Sequence, residues 1–62
     1  MRIFVDAMGG DLAPQASVEG TVEALRRNPE LTVTLAGIVP EIEKYLAGAD
    51  DVRSRITLLD AP

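Results

Sequence analysis

The pattern of apolar and polar positions switches between strand and helix periods, and it predicts strand, helix, strand, helix and strand in that order. The first predicted strand covers residues 2–6, in which Ile3, Phe4 and Val5 form an uninterrupted apolar run. A continuous apolar run is typical of a strand that is buried on both faces of a parallel sheet. The pattern therefore predicts a central position for this strand.

The first helix is predicted over residues 14–27. Pro14 suits the first helical position, where its missing N–H is not needed, and Pro29 ends the pattern because proline restricts the residue before it. Gly20 lies inside the helix, where glycine costs roughly 1 kcal/mol relative to alanine, and this predicts close packing against a strand. The apolar positions at helical spacing are Val18, Val22 and Leu25.

The rest of the chain continues the alternation. Residues 31–36 alternate leucine or valine with threonine, which predicts a half-buried strand at the edge of the sheet. The second helix is predicted over residues 40–47 and ends at Gly48, and the third strand over residues 55–59. The expected buried stripe of the second helix consists of Ile42, Tyr45 and Leu46.

These elements predict an α/β fold. A central first strand and an edge second strand, joined by right-handed crossovers, favour the strand order 2-1-3 with the two helices on opposite faces. That order leaves the outer side of the third strand unpaired. Two helices cannot cover both faces of three twisted strands, so we expect some apolar surface to remain exposed.

Length and composition narrow the class of protein. A chain of 62 residues without Cys or His has neither disulfides nor the usual zinc ligands to support a small core. We therefore expect a fragment, or a unit that needs a partner surface. The net charge of −4 argues against nucleic acid as a partner. The basic pairs Arg26–Arg27 and Arg53/Arg55 are interpreted as solvated charges, and no apolar run is long enough for a signal peptide or a membrane span.

The most informative segment follows the first strand. The strand ends in Asp6, then come two adjacent glycines and a second acid, Asp11, before the helix begins. Ligands bind at the carboxyl ends of strands in α/β proteins, because the turn and the helix N-terminus offer free backbone N–H groups. The candidate substrate-binding residues are Asp6, Met8, Gly9, Gly10 and Asp11. The catalytic residue is unknown, with Asp11 as a candidate.

Three chemistries are possible at this turn. Asp6 and Asp11 are hard oxygen ligands that could hold Mg²⁺, but we favour a local role in which Asp6 accepts hydrogen bonds from its own turn. No metal or cofactor is therefore assigned. The Gly9–Gly10 backbone could instead bind phosphate, provided that a cation from elsewhere offsets the two carboxylates. Without His or Cys, covalent catalysis by this segment is not expected.

Residues 5–11, Val-Asp-Ala-Met-Gly-Gly-Asp, followed by Ala-Pro, closely resemble the N-terminus of the bacterial phosphate acyltransferase family. In that family the position of Leu12 is often His, so no side-chain role is carried over there. The segment Leu35-Ala36-Gly37 is similar to the family's second strand with its glycine turn. Ile38 replaces the usual acidic or amide residue after that glycine.

The resemblance implies transfer of a fatty acyl group from acyl-acyl-carrier protein to inorganic phosphate, giving acyl phosphate for phospholipid synthesis. It implies a three-layer α/β/α fold with a mainly parallel sheet. It also implies a homodimeric cytoplasmic enzyme that can associate with the membrane. Residues 1–62 would be the N-terminal, incomplete part of a single α/β domain, and inactive alone.

Two alternatives come from other classes of protein. The chain could be a non-catalytic α/β module that binds a partner through its unpaired sheet edge. It could also be part of an enzyme similar to isocitrate or isopropylmalate dehydrogenase, since Gly10-Asp11 and Pro14-Gln15 are similar to residues of those enzymes. The spacing between Asp and Pro differs from theirs, however, and a Gly-x-Gly-x-x-Gly fingerprint is absent.

Overall fold

The computed structural model describes residues 1–61. Three parallel strands and two helices alternate along the chain, which confirms the α/β class and the predicted element order. The strands are β1 (Arg2–Asp6), β2 (Thr32–Gly37) and β3 (Ile56–Asp60), and the helices are α1 (Gln15–Arg27) and α2 (Val39–Lys44). A short 3₁₀ helix, Arg53–Arg55, precedes β3. The predicted end of the second helix at residue 47 is wrong, because α2 ends at Lys44.

The predicted strand order 2-1-3 is wrong, since the sheet has the order β1-β2-β3. The strand β2 is paired on both sides, and the register aligns Val5, Leu35 and Leu58 across the three strands. Right-handed crossovers in this order bring both helices to the same face of the sheet. The predicted placement of the helices on opposite faces is therefore also wrong, and the described residues form two layers.

The core is one cluster between the helices and the covered face of the sheet. Alternate residues of β2, Val33 and Leu35, point into it, while Thr32 and Thr34 do not. The apolar run of β1 predicted a strand buried on both faces, and this is wrong because Phe4 lies on the uncovered face and is 63% exposed. The largest fully buried side chains are Leu25, Leu35, Ile42, Val18 and Val52.

The uncovered face of the sheet keeps apolar side chains in contact with solvent, as predicted. Phe4 of β1 and Leu59 of β3 are both exposed, and Thr34 and Thr57 lie in register with Phe4 across the sheet. We call these four residues the open face. None of the helices among residues 1–61 is long and apolar enough to span a membrane.

The expected role of Gly20 is wrong. It is exposed, and a Cβ placed on it would meet no atom within 4 Å. Its neighbour Thr21 is buried and donates a hydrogen bond from Oγ1 to the carbonyl of Ser17 at 2.8 Å. This bond satisfies the buried hydroxyl, whose desolvation would otherwise be costly.

Arginine side chains connect the loops, so the interpretation of the basic pairs as solvated charges holds only in part. Arg26 forms a two-pronged ion pair with Asp51, with Nε–Oδ2 at 2.9 Å and Nη2–Oδ1 at 3.0 Å. Arg55 is half-buried and donates to the carbonyls of Leu31 and Asn28. These contacts attach the segments before β2 and before β3 to the rest of the fold.

The one-sided core predicts unequal costs for two apolar truncations. Leu35→Ala should lower the free energy of unfolding by about 2–5 kcal/mol, because it empties a fully buried site in the central strand. Phe4→Ala should change it by less than about 1 kcal/mol, because the ring is mostly in water. Urea unfolding followed by circular dichroism measures both. An equal cost for the two variants would show that the open face is covered.

The ion pair between Arg26 and Asp51 predicts a pH effect. The hydrogen bond from Arg26, reinforced by its charge, lowers the pKa of Asp51. The ion pair therefore stabilises the fold above about pH 4, where Asp51 is ionised in the folded and the unfolded chain. This stabilisation is lost as the pH falls through the lowered pKa that Asp51 has in the folded state. Arg26→Gln should raise the pKa of Asp51 in an NMR titration. The control Arg27→Gln removes a neighbouring charge and should leave that pKa lower than in Arg26→Gln.

Candidate functional site

The three parallel strands end at the same edge of the sheet, which we call the carboxyl edge. Asp6 is in register with Ala36, and Gly37 with Asp60. The ladder continues by one bond on each side, from Ala7 N–H to the Ala36 carbonyl and from Ala61 N–H to the Gly37 carbonyl, each at 2.9 Å. The turn after β1 therefore lies beside the end of β2.

The carboxylate of Asp6 organises the turn that follows it. Its Oδ1 accepts a hydrogen bond from the backbone N–H of Met8 at 3.0 Å. This confirms the predicted local role of Asp6 and explains why an acid ends β1, since the bond closes the first part of the turn. One carboxylate oxygen is thereby committed to the protein's own backbone.

The magnesium alternative gains no support from the grouping of acids. Residues 1–61 contain no group of three or more His, Cys, Asp or Glu side chains arranged to hold a metal ion. Asp11 is exposed and makes no side-chain hydrogen bond or ion pair within that range. The roles of Asp11 in catalysis and of Asp6 and Asp11 in metal binding stay predictions.

The two glycines differ in what they require. Gly10 has φ +93°, a left-handed conformation that residues with a Cβ adopt only at a cost. Gly9 does not have a positive φ, and a Cβ there would meet its nearest neighbours, atoms of Asp6, at an ordinary 3.9 Å. Gly10 is thus needed for the backbone conformation of the turn. Neither backbone conformation nor space requires glycine at position 9.

The turn exposes backbone donors. The N–H groups of Gly9, Gly10 and Asp11 donate no hydrogen bond within residues 1–61, and all three residues are exposed. Nearby groups are already used, because Ala13 N–H reaches the Gly10 carbonyl at 3.4 Å and Ala16 N–H reaches the Leu12 carbonyl at 3.1 Å. Successive free N–H groups in a turn form a suitable site for an anion.

The charge around these donors is unfavourable to an anion. The chain has six Lys and Arg residues, and within the described part none makes a hydrogen bond or ion pair with residues 6–12. The side chains beside the turn are apolar: Leu12 is 74% exposed and Ile38 is 45% exposed. The turn therefore combines neutral donors, two carboxylates and an apolar rim.

The surface clefts lie elsewhere on the described structure. Three clefts of about 420, 470 and 360 Å³ are lined by residues of α1, of the loops and of the open side of the sheet. Residues 6–12 line none of these three. These three clefts therefore provide no pocket for a substrate at the turn.

The predicted site residues fall together because they are contiguous in sequence. The residue that the sequence analysis did not connect with them is Gly37, which lies against the side chain of Met8. Asp60 was also not considered, although its register places it at the same carboxyl edge. The positions of Gly37 and Asp60 beside the turn depend on the pairing between strands, which the sequence does not show directly. The only local signal is the pair of small residues at the end of β2, Ala36 and Gly37, which allow another segment to approach closely.

Comparison with known proteins defines the class to which this fold and turn belong. The family described as "Fatty acid synthesis protein" matches residues 1–62, and the chain belongs to this family. Relatives named "Phosphate acyltransferase" are 47% identical over 60 residues in Shewanella amazonensis and 44% identical over 61 residues in Bacillus subtilis. These matches cover 95% and 98% of the chain but only 18% and 17% of the relatives. The chain thus spans less than a fifth of their length.

The two glycines of the turn predict different responses to alanine. Gly10→Ala should lower the free energy of unfolding by about 1–2 kcal/mol, because its φ is left-handed. Gly9→Ala should change it by no more than about 0.5 kcal/mol, because neither φ nor space forbids a methyl group there. Paired urea titrations measure the difference. Equal costs would show that Gly10 does not adopt the left-handed conformation.

Proposed function

We propose that this chain supplies the phosphate-binding turn of a phosphate acyltransferase. The reaction would transfer a fatty acyl group from acyl-acyl-carrier protein to inorganic phosphate, giving acyl phosphate for phospholipid synthesis. The observation that supports this proposal most is the set of free N–H groups on Gly9, Gly10 and Asp11 at the end of β1. The family membership of the chain and the names of its relatives point to the same chemistry.

In the proposed reaction a phosphate oxygen attacks the carbonyl carbon of the thioester. The C–S bond breaks, the acyl group stays on phosphate, and the thiol of the carrier protein leaves with the proton that phosphate gives up. The free N–H groups of the turn orient phosphate through its non-attacking oxygens. Asp11 is the candidate to accept the phosphate proton, since its carboxylate is exposed beside those donors.

Charge sets a condition on this proposal. Asp6 and Asp11 repel an incoming phosphate, and the described residues place no cation on the turn. The proposed site therefore requires Lys, Arg or a metal ion from outside residues 6–12. The proposal places residues 1–62 within one larger α/β domain, in a homodimeric cytoplasmic enzyme that contacts the carrier protein and associates peripherally with the membrane.

The open face supports a second candidate function. Phe4 and Leu59 expose apolar surface on a face that the helices leave bare, as in a module that binds a partner. Sedimentation of the 62-residue chain tests this second candidate. A partner-dependent module should be unfolded or self-associated alone, and a folded monomer would argue against it. No structural observation favours the dehydrogenase-like alternative.

We expect no catalysis by the 62-residue chain alone. Each missing donor or positive charge at the developing negative charge typically costs about 3–4 kcal/mol of transition-state stabilisation, and this turn offers only N–H groups beside two carboxylates. Release of carrier-protein thiol should stay at background with phosphate, with or without Mg²⁺. Phosphate-dependent release above background would show that the active site is contained in this chain.

A chimera tests the role of the turn in turnover. Replacing the matching 61 residues of the Bacillus subtilis relative with this chain should preserve acyl phosphate formation. Gly10→Val in the chimera should then lower turnover by roughly 100-fold or more, because it displaces the donors of the turn. Gly20→Ala is the control, since Gly20 is exposed and has no neighbour within 4 Å of a Cβ. Near-normal turnover of a folded Gly10→Val chimera would reject the proposal.

A further inference from the structure

Met8 lies in the turn that follows β1, and contacts hold both its backbone and its side chain. Its backbone N–H donates to Asp6 Oδ1 at 3.0 Å, and its half-buried side chain lies directly over Gly37 at the end of β2. A Cβ on Gly37 would lie 2.7 Å from Met8 Cγ and 2.9 Å from Met8 Sδ. The two free donors of Gly9 and Gly10 follow immediately in the chain.

Gly37 is not required by backbone conformation. The positive-φ residues among residues 1–61 are Gly10 and Gly48, so an alanine could adopt the backbone angles of Gly37. What disfavours a side chain is space, because two Met8 atoms lie less than 3 Å from the position of the Cβ and Ile42 Cδ1 of α2 lies 3.2 Å from it. The site of Gly37 is therefore a socket for the Met8 side chain.

We propose that Gly37 is a positioning residue for the Gly9–Gly10 turn. By lacking a side chain it seats Met8 against the ends of β2 and α2, and this contact fixes the direction in which the following N–H groups point. A methyl group at Gly37 would push Met8 outward, strain its bond to Asp6 and turn the donors of Gly9 and Gly10. The consequence for phosphate binding rests on the proposed function, whereas the positioning itself does not.

The positioning is tested in the 62-residue chain by a double-mutant cycle. The variants are Gly37→Ala, Met8→Ala and the two combined, with Gly20→Ala as the glycine-to-alanine control. Amide hydrogen exchange and NMR chemical shifts of residues 8–10 are measured in each. Gly37→Ala should speed exchange at Met8 by roughly tenfold, the effect of losing about one hydrogen bond's local stability, and should shift the Gly9 and Gly10 amides.

The combined variant distinguishes a socket from a general packing defect. Once Met8 is alanine, Gly37→Ala should have at most a small further effect on residues 8–10, because the two nearest atoms are gone and Ile42 Cδ1, at 3.2 Å, lies in α2 and not in the turn. An equal effect of Gly37→Ala in both backgrounds, or no effect in either, would overturn the proposal. If Gly37→Ala alone does not fold but the combined variant with Met8→Ala does, the result supports the socket. If the combined variant also fails to fold, the result contradicts it.

The chimera carries the test to phosphate. Gly37→Ala in the chimera should raise the KM for phosphate by roughly tenfold, as expected when one hydrogen bond to the anion is lost, and should leave the KM for the acyl donor nearly unchanged. If residues 8–10 move in the NMR spectra while the KM for phosphate does not, the positioning stands and the proposed phosphate-binding function of the turn fails. If neither changes, the positioning fails by itself.

Discussion

The positions of both helices and of the turn after β1 follow from the pairing of β2 with a strand on each side. It lets a single sheet face receive both helices, because right-handed crossovers in the order β1-β2-β3 bring α1 and α2 to the same side. It also places Gly37 between the turn after β1 and the last residue of β3. Without this register, Met8 would have no socket and the carboxyl edge would not form.

The element types were predictable from the sequence, and their arrangement was not. Val18, Val22 and Leu25 recur with a helical period, and all three are buried. The position of β1 was mispredicted because an apolar run does not show which strand or helix will cover its side chains. Phe4 contributed to that run and yet lies on the open face of this chain.

The candidate site shows the same division. Asp6, Gly9 and Gly10 could be found because one short segment contains them, and the local hydrogen bond of Asp6 follows from turn chemistry. The socket at Gly37 could not, since it arises from strand register and from the place where α2 brings Ile42. Gly20 illustrates the opposite error. A packing role was predicted for it because glycine is unusual inside a helix, but Gly20 is exposed.

Neutral backbone donors beside two carboxylates define what the turn can contribute to phosphate chemistry. Such a turn can orient an anion but does not by itself attract one, so affinity would come from a cation supplied outside residues 6–12. This division agrees with the small share of the relatives' length that the chain spans, 17% in Bacillus subtilis. Orientation by the turn and attraction by other residues are separable contributions to the proposed reaction.

The position of β2 in the middle of the sheet can be tested by a nuclear Overhauser spectrum of the 62-residue chain. We expect backbone contacts from Thr34 to both Phe4 and Thr57, which are its register partners, together with contacts from the Met8 side chain to the Gly37 α-protons. Backbone contacts between Phe4 and Thr57, with none between Thr34 and Thr57, would place β1 in the centre. That result would contradict both the fold and the socket at Gly37.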